Sequence, residues 1–242
     1  MIALSIYLQT VLEYNALQAG LSIAPLSLSM FAIAMLAGRR AGRRRPSTIV
    51  RAGFLLLAIG MVVLIPIVPR ADSGGYLLVP MVLAGSGLGL LVSQPNNYTL
   101  APISKERVSE AAGVNSAGGS FGLSFGLAFA GAIMLATLAF SFTNMAQNST
   151  VLPPTDKERV AVALEEDAQV MSNTQLIRLL EDEPPENQAE VVRINTEARP
   201  LALQVALLVP IIAALLGLLN SFRMSRLPDI APSSAAEGMA LG

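Results

Sequence analysis
The chain contains no cysteine, no histidine and no tryptophan. Without cysteine there is no disulfide staple and no thiol nucleophile. Without cysteine and histidine together there is no zinc finger and no Ser-His-Asp triad. Charge is scarce too. Charged residues make up 14% of 242 positions, against about 25% in a soluble domain. No run of paired carboxylates interrupts the apolar stretches, so an enzyme is not expected, nor is a cofactor, a metal or a nucleic-acid partner. Lacking tryptophan, an aromatic belt at a membrane surface would rest on four tyrosines and eight phenylalanines.

What is present is apolar. The apolar share is 53% and the mean hydropathy is +0.58. Uncharged runs cover 14–38, 52–69, 73–104, 111–155 and 200–222. About 20 apolar residues in a helix cross the hydrocarbon core of a bilayer. Five spans are therefore expected, at 18–37, 52–69, 76–98, 113–140 and 201–221. Residues 1–12 are uncharged but too short to cross, and they lack the charged start and cleavage site of a signal peptide. They are expected to be part of a helix whose beginning is missing. The expected organisation is transmembrane helices over 1–140, a loop region over 141–199, a last transmembrane helix over 200–222 and a tail over 223–242.

The few charges are unevenly placed, and their distribution orients the chain. Short basic loops stay on the cytoplasmic side. Arg39, Arg40, Arg43, Arg44, Arg45 and Arg51 follow the first span. With loops alternating sides, Lys105, Arg107, Arg223 and Arg226 share their face, which makes ten basic residues; Arg70 is the single one in the short loops opposite. The arginine loop and the C-terminus are thus expected in the cytoplasm and 141–199 outside, in a multi-pass protein of the plasma (inner) membrane.

The loop region 141–199 carries eleven acids and five bases. Thr155 and Glu158 have capping-box spacing. Val160, Leu164, Ala168 and Met171 fall on one helix face. Ser172 or Asn173 can cap a second helix. Residues 186–198 are expected to form a third, ended by Arg199-Pro200. The region reads as a solvated cap, with ligand binding as the alternative.

Small residues mark packing surfaces. Gly118, Gly122 and Gly126 recur every fourth residue on one helix face, and Gly85 with Gly89 repeat the device, which lets helices approach closely in a membrane. The seam is read as a fixed interface or as a surface that slides. Pro25, Pro80, Pro95 and Pro210 fall inside spans. Polar groups at membrane depth include Gln9, Gln18, Gln94, Asn97, Asn115 and Gln204. Gln9, Gln94 and Asn97 are candidates to line a substrate path, or to make helix-to-helix hydrogen bonds. No span contains Asp, Glu, Lys, Arg or His. A proton-coupling residue, which carriers keep inside the membrane, would lie in a part not present here; Glu13 is the nearest candidate.

Three segments carry a resemblance. "AMLAGRRAGRRRP" (34–46) resembles the loop signature of the major facilitator superfamily, Gly-x-Leu-Ala-Asp-Arg-x-Gly-Arg-Arg. Leu36, Ala37, Arg39, Gly42, Arg43 and Arg44 stand for its matching residues, with Ala34 for the first Gly and Gly38 for the Asp. "YLQTVLEYNALQAGLSIAP" and "AAGVNSAGGSFGLSFGLAFAG" resemble the fourteen-span drug:proton antiporter branch. The resemblance implies an all-α membrane protein: the C-terminal six-helix half of a major facilitator fold, with its first helix truncated and a small external helical loop region. It implies part of a multidrug or small-molecule efflux carrier driven by proton antiport. The implied partners are the bilayer, a small-molecule substrate, and the missing N-terminal half or a second copy. The alternative is a membrane remnant that does not transport and serves as a scaffold or partner subunit.

Overall fold
A computed structural model describes residues 2–39, 45–93, 103–166, 172–181 and 183–224, all helix and turn with no strand. The helices are α1 (Ile2–Thr10), α2 (Ala16–Arg39), α3 (Pro46–Ile67), α4 (Leu78–Val92), α5 (Val108–Asn148), α6 (Lys157–Glu166), α7 (Asn173–Leu179) and α8 (Pro185–Met224). Short 3-10 turns at Val68–Arg70 and Gly74–Leu77 join α3 to α4, and another at Lys105–Arg107 leads into α5. Five helical stretches are long and apolar enough to cross a membrane. They contain the expected spans 18–37, 52–69, 113–140 and 201–221 and residues 76–92 of the third; Ser93 is a turn residue, and 94–98 lie outside the described residues.

The chain divides into two compact units. The first comprises Met1–Ile23, Ile65–Leu77 and Ala128–Val209; the second comprises Ala24–Leu64, Leu78–Leu127 and Pro210–Gly242.

The first unit has a true apolar core. Leu138, Phe142 and Ala146 of α5 pack with Leu164 of α6, Leu176 of α7 and Val191, Ile194, Ala198 and Ala202 of α8. Those α8 positions lie three or four residues apart, so one stripe faces the core. This stripe corrects one expectation. Arg199-Pro200 does not end a helix: α8 runs unbroken from Pro185 to Met224. Proline at 200 removes the N–H that would reach the Thr196 carbonyl, but burial of Ala198 and Ala202 on either side outweighs one lost bond. At 40 residues α8 is about 60 Å long, twice the hydrocarbon thickness. Apart from Arg223, the charged residues of α8 all lie in its first half, through Arg199.

A second correction concerns the start of α6. The Thr155–Glu158 box does not form; α6 begins at Lys157, and the Asp156 carbonyl accepts its first bond from Val160 N–H at 2.8 Å. Pro153-Pro154 hold the preceding chain in a turn, in which Asp156 N–H donates to the Pro153 carbonyl. Ser172, by contrast, does cap α7, in a full capping box with Gln175. Val160 and Leu164 of the expected α6 face join the core; Ala168 and Met171 lie outside the described residues.

The second unit is built on close backbone approach. A Cβ added at Gly85 or Gly89 of α4 would strike α2, at Leu26 and Ser29 for the former and at 2.5 Å from the Met30 carbonyl for the latter. Gly87, half a turn away, points at α3: its Cβ would lie 2.5 Å from Leu57 N and 2.6 Å from the Gly53 carbonyl. Gly60 of α3 answers with 2.6 Å to Ala84 N. Glycines two apart thus serve two opposite faces of α4, and α4 nests between α2 and α3.

Candidate functional site
The α1–α2 turn gathers the most unusual local chemistry. Glu13 has φ 53°, the one positive φ outside glycine among the described residues. That left-handed conformation is unfavourable for a side chain larger than glycine's. The turn sets α2 off with a reciprocal cap: Gln18 N–H donates to Asn15 Oδ1 at 2.9 Å, and Asn15 N–H donates to Gln18 Oε1 at 3.1 Å. Gln18 is therefore a helix-capping residue.

The Glu13 carboxylate reaches across the sequence to α7. It accepts from Thr174 N–H at 2.8 Å and from the Thr174 hydroxyl, 2.6 and 2.8 Å from its two oxygens. The Thr174 hydroxyl, then its N–H, hold the Glu13 carboxyl below its ordinary pKa. A carboxylate stabilised in this way accepts a proton less readily than a free one. Tyr14 ties the same turn to the α3–α4 connection, where Gly74 N–H donates to its hydroxyl at 2.9 Å. Together these groups frame an open cavity of about 470 Å³ lined by Ile6, Gln9, Thr10, Glu13, Tyr14, Ser172, Thr174 and Gln175.

Gln9 lines that cavity, with its amide turned back on its own helix, donating to the Ser5 carbonyl and hydroxyl. The other two path candidates, Gln94 and Asn97, lie outside the described residues. Gln204 makes a helix-to-helix bond: its amide donates to the Ile65 carbonyl at 2.8 Å. That carbonyl has no helical partner because residue 69 is proline. Tyr7 serves the same stretch, its hydroxyl donating to the Val68 carbonyl at 2.9 Å.

A polar network lies under the core of the first unit. Buried Arg199 donates to Asn195 at 2.9 Å, and Asn195 to Asn173 at 2.8 Å. Glu190 accepts from the Ser149 hydroxyl at 2.6 Å and from Arg193 through two 2.8 Å bonds. Sequence reasoning missed both sets. Glu190 and Arg193 stand three apart on one helix, a legible signal; Ser149 does not announce itself.

Of the loop motif, Leu36, Ala37, Gly38 and Arg39 form the last turn of α2; Gly42, Arg43 and Arg44 lie outside the described residues. Two residues, Arg40 and Ala41, separate Arg39 from Gly42 where the signature has one. Of the glycine seams, Gly85 and Gly89 meet α2 as described. Gly118, Gly122 and Gly126 of α5 face open space, with nothing within 4 Å of an added Cβ.

A profile of the Major Facilitator Superfamily matches residues 1–127, just over half of the chain. The chain belongs to the Major Facilitator Superfamily. As a member of this transporter family it is a multi-pass membrane protein and not an enzyme, and its all-helical fold is part of the helical fold of that superfamily. Among its relatives, the uncharacterized transporter YebQ of Escherichia coli is 34% identical over 117 residues, covering 47% of this chain and 25% of the relative. The probable actinorhodin transporter of Streptomyces coelicolor is 28% identical over 184 residues, 74% of this chain and 30% of the relative. The multidrug resistance protein B homolog of Mycobacterium tuberculosis is 31% identical over 143 residues, 57% of this chain and 25% of the relative. The chain thus spans between a quarter and a third of the length of these curated relatives.

Proposed function
We propose that the chain is the C-terminal part of a small-molecule exporter of the fourteen-span drug:proton antiporter branch, working with the spans that supply its other half or with a second copy. The superfamily match, with relatives named as transporters and resistance proteins, carries this reading. Alternating access in such folds rocks two repeat-related halves about a central site. The described spans hold no charged side chain at their centres, so proton coupling would fall to residues elsewhere. Gln9, Gln94 and Asn97 are the path candidates, and Gly118, Gly122 and Gly126 the face that meets the other half. The arginine loop and tail face the cytoplasm across the plasma membrane, with 141–199 outside.

The test is efflux in a pump-deficient bacterium. Expressed together with the N-terminal spans of a related carrier, the chain should lower dye accumulation, and an uncoupler should abolish the effect. Alone it should change nothing if separate spans supply the other half, since alternating access needs both halves; efflux by the chain alone would assign that half to a second copy. Dye accumulation untouched by the chain and those spans together would sink the exporter reading and favour a non-transporting scaffold. In the same cells Asn148→Cys should react with a membrane-impermeant thiol reagent and Ser104→Cys should not; both residues are exposed. The opposite pattern would reverse the orientation.

A further inference from the structure
We propose that Arg51, backed by the Phe222 ring, is a binding site for the phosphate group of a phospholipid. Arg51 sits in the second turn of α3, about 7 Å along the axis from Pro46. Its guanidinium carbon stands 4.5 Å from the centroid of Phe222, in the last turn of α8. The ring face offsets part of the positive charge but accepts no in-plane N–H bond. Arg51 Nε is buried and has no hydrogen-bond partner among the described residues. A buried donor left unmade is costly, and such groups recur where a ligand is absent.

The ligand chemistry follows from the donor. A guanidinium presents Nε–H and a neighbouring N–H as a planar fork, which fits two oxygens of a phosphate. The surroundings favour a lipid as the source. Leu55, one turn further along α3, and Leu219, one turn back along α8, are 49% and 65% exposed. Both helices carry uncharged runs beyond the arginine, over 52–69 and 200–222. A phosphate at Arg51 would therefore have an apolar surface beside it on which an acyl chain can lie, as basic sites between transmembrane helices hold lipid headgroups.

The test is native mass spectrometry of the full chain, delipidated in detergent, with three probes. Phosphatidylglycerol carries phosphate and tails, diacylglycerol carries tails alone, and glycerol 3-phosphate carries phosphate alone. Phosphatidylglycerol should bind wild type about tenfold more tightly than Arg51→Gln, the worth of one charge-assisted bond. Diacylglycerol should not distinguish the two, and glycerol 3-phosphate should bind neither. Arg51→Lys keeps the cation but loses the fork, and should weaken phosphatidylglycerol as well; it carries the test if circular dichroism shows Arg51→Gln misfolded. Equal phosphatidylglycerol binding by wild type and both variants would overturn the site. Tight glycerol 3-phosphate binding that Arg51→Gln abolishes would overturn the lipid assignment.

Discussion
The two units of this chain are held together by different physics. The first has polar bonds between residues distant in sequence: Glu13 to Thr174, Ser149 to Glu190, Gln204 to Ile65, Tyr7 to Val68. It also has an apolar core made from α5, α6, α7 and α8. The described side-chain bonds of the second unit are local, as where Ser29 donates to Leu26 and Ser221 to Leu218. Its cohesion comes from glycines that let α2, α3 and α4 touch backbone to backbone. Burial against lipid gains little for an apolar helix, so shape has to hold it. Where water competes, a core and satisfied polar groups do the holding.

The sharpest way to break the comparison is one methyl group. In Gly60→Ala the new Cβ falls 2.6 Å from Ala84 N and 3.0 Å from its Cα. Backbone cannot step aside as a side-chain end can, so α3 and α4 must separate. We expect a loss of about 1–3 kcal/mol, the usual cost of overpacking. Gly122→Ala meets nothing and should gain up to about 1 kcal/mol from helix propensity. Thermal melts of the purified chain in detergent, followed by circular dichroism, check both. Similar melting temperatures for the two variants would remove the distinction between a packed and an open glycine face.

These glycines also show how far the sequence can be read. The spans were legible because twenty uncharged residues leave few alternatives, and Gly85 with Gly89 because their spacing puts both on one face. Gly53 and Gly60 lie seven apart on α3, also one face, but a gap of two turns among leucines is a weak signal. Gly118, Gly122 and Gly126 have the clearest spacing in the chain yet touch nothing in it. Spacing reveals that a face is smooth, not whether anything lies against it. The continuity of α8 through Pro200 was illegible for a related reason. Local chemistry argues for a stop there, and burial at Ala198 and Ala202, visible only in three dimensions, decides otherwise. The pairing of Glu13 with Thr174, 161 residues apart, has no local signature at all.

On the polar side of the comparison, Glu190 should matter most. Hydrogen bonds from Arg193 lead in holding its carboxyl down to about 2, from an ordinary 4.5, with Ser149 adding and burial opposing. Because the folded value is the lower one, the stabilisation is complete above about pH 4.5. It is lost as pH falls through about 2. Glu190→Gln should cost about 1–2 kcal/mol at neutral pH, the lower part of the range for charged bonds because Arg193 is half-exposed. It should also flatten the acid limb of the melting curve. An acid limb as steep in the variant as in wild type would show that the Glu190 pair is not what acid breaks.

The smallest effect should come from the turn that joins α1 to α2, where backbone and side chain pull in opposite directions. Glu13 holds φ 53°, a conformation that costs a non-glycine residue about 1–2 kcal/mol. Its exposed carboxylate recovers part of that through the Thr174 bonds, each worth less at the surface than in a core. Glu13→Ala keeps the strain and loses the bonds. Glu13→Gly loses the bonds and relieves the strain, so it should be more stable than Glu13→Ala by about 1 kcal/mol. Thr174→Val, which removes the hydroxyl and leaves the N–H, should fall near wild type. The Glu13 carboxyl lies below its ordinary pKa, so as pH falls below the usual carboxylate range wild type should lose more stability than the two Glu13 variants, which keep only the loss due to Glu190. Equal melting temperatures for Glu13→Gly and Glu13→Ala would mean that the turn relaxes once the carboxylate is gone, and that Thr174 imposes the left-handed backbone rather than compensating for it.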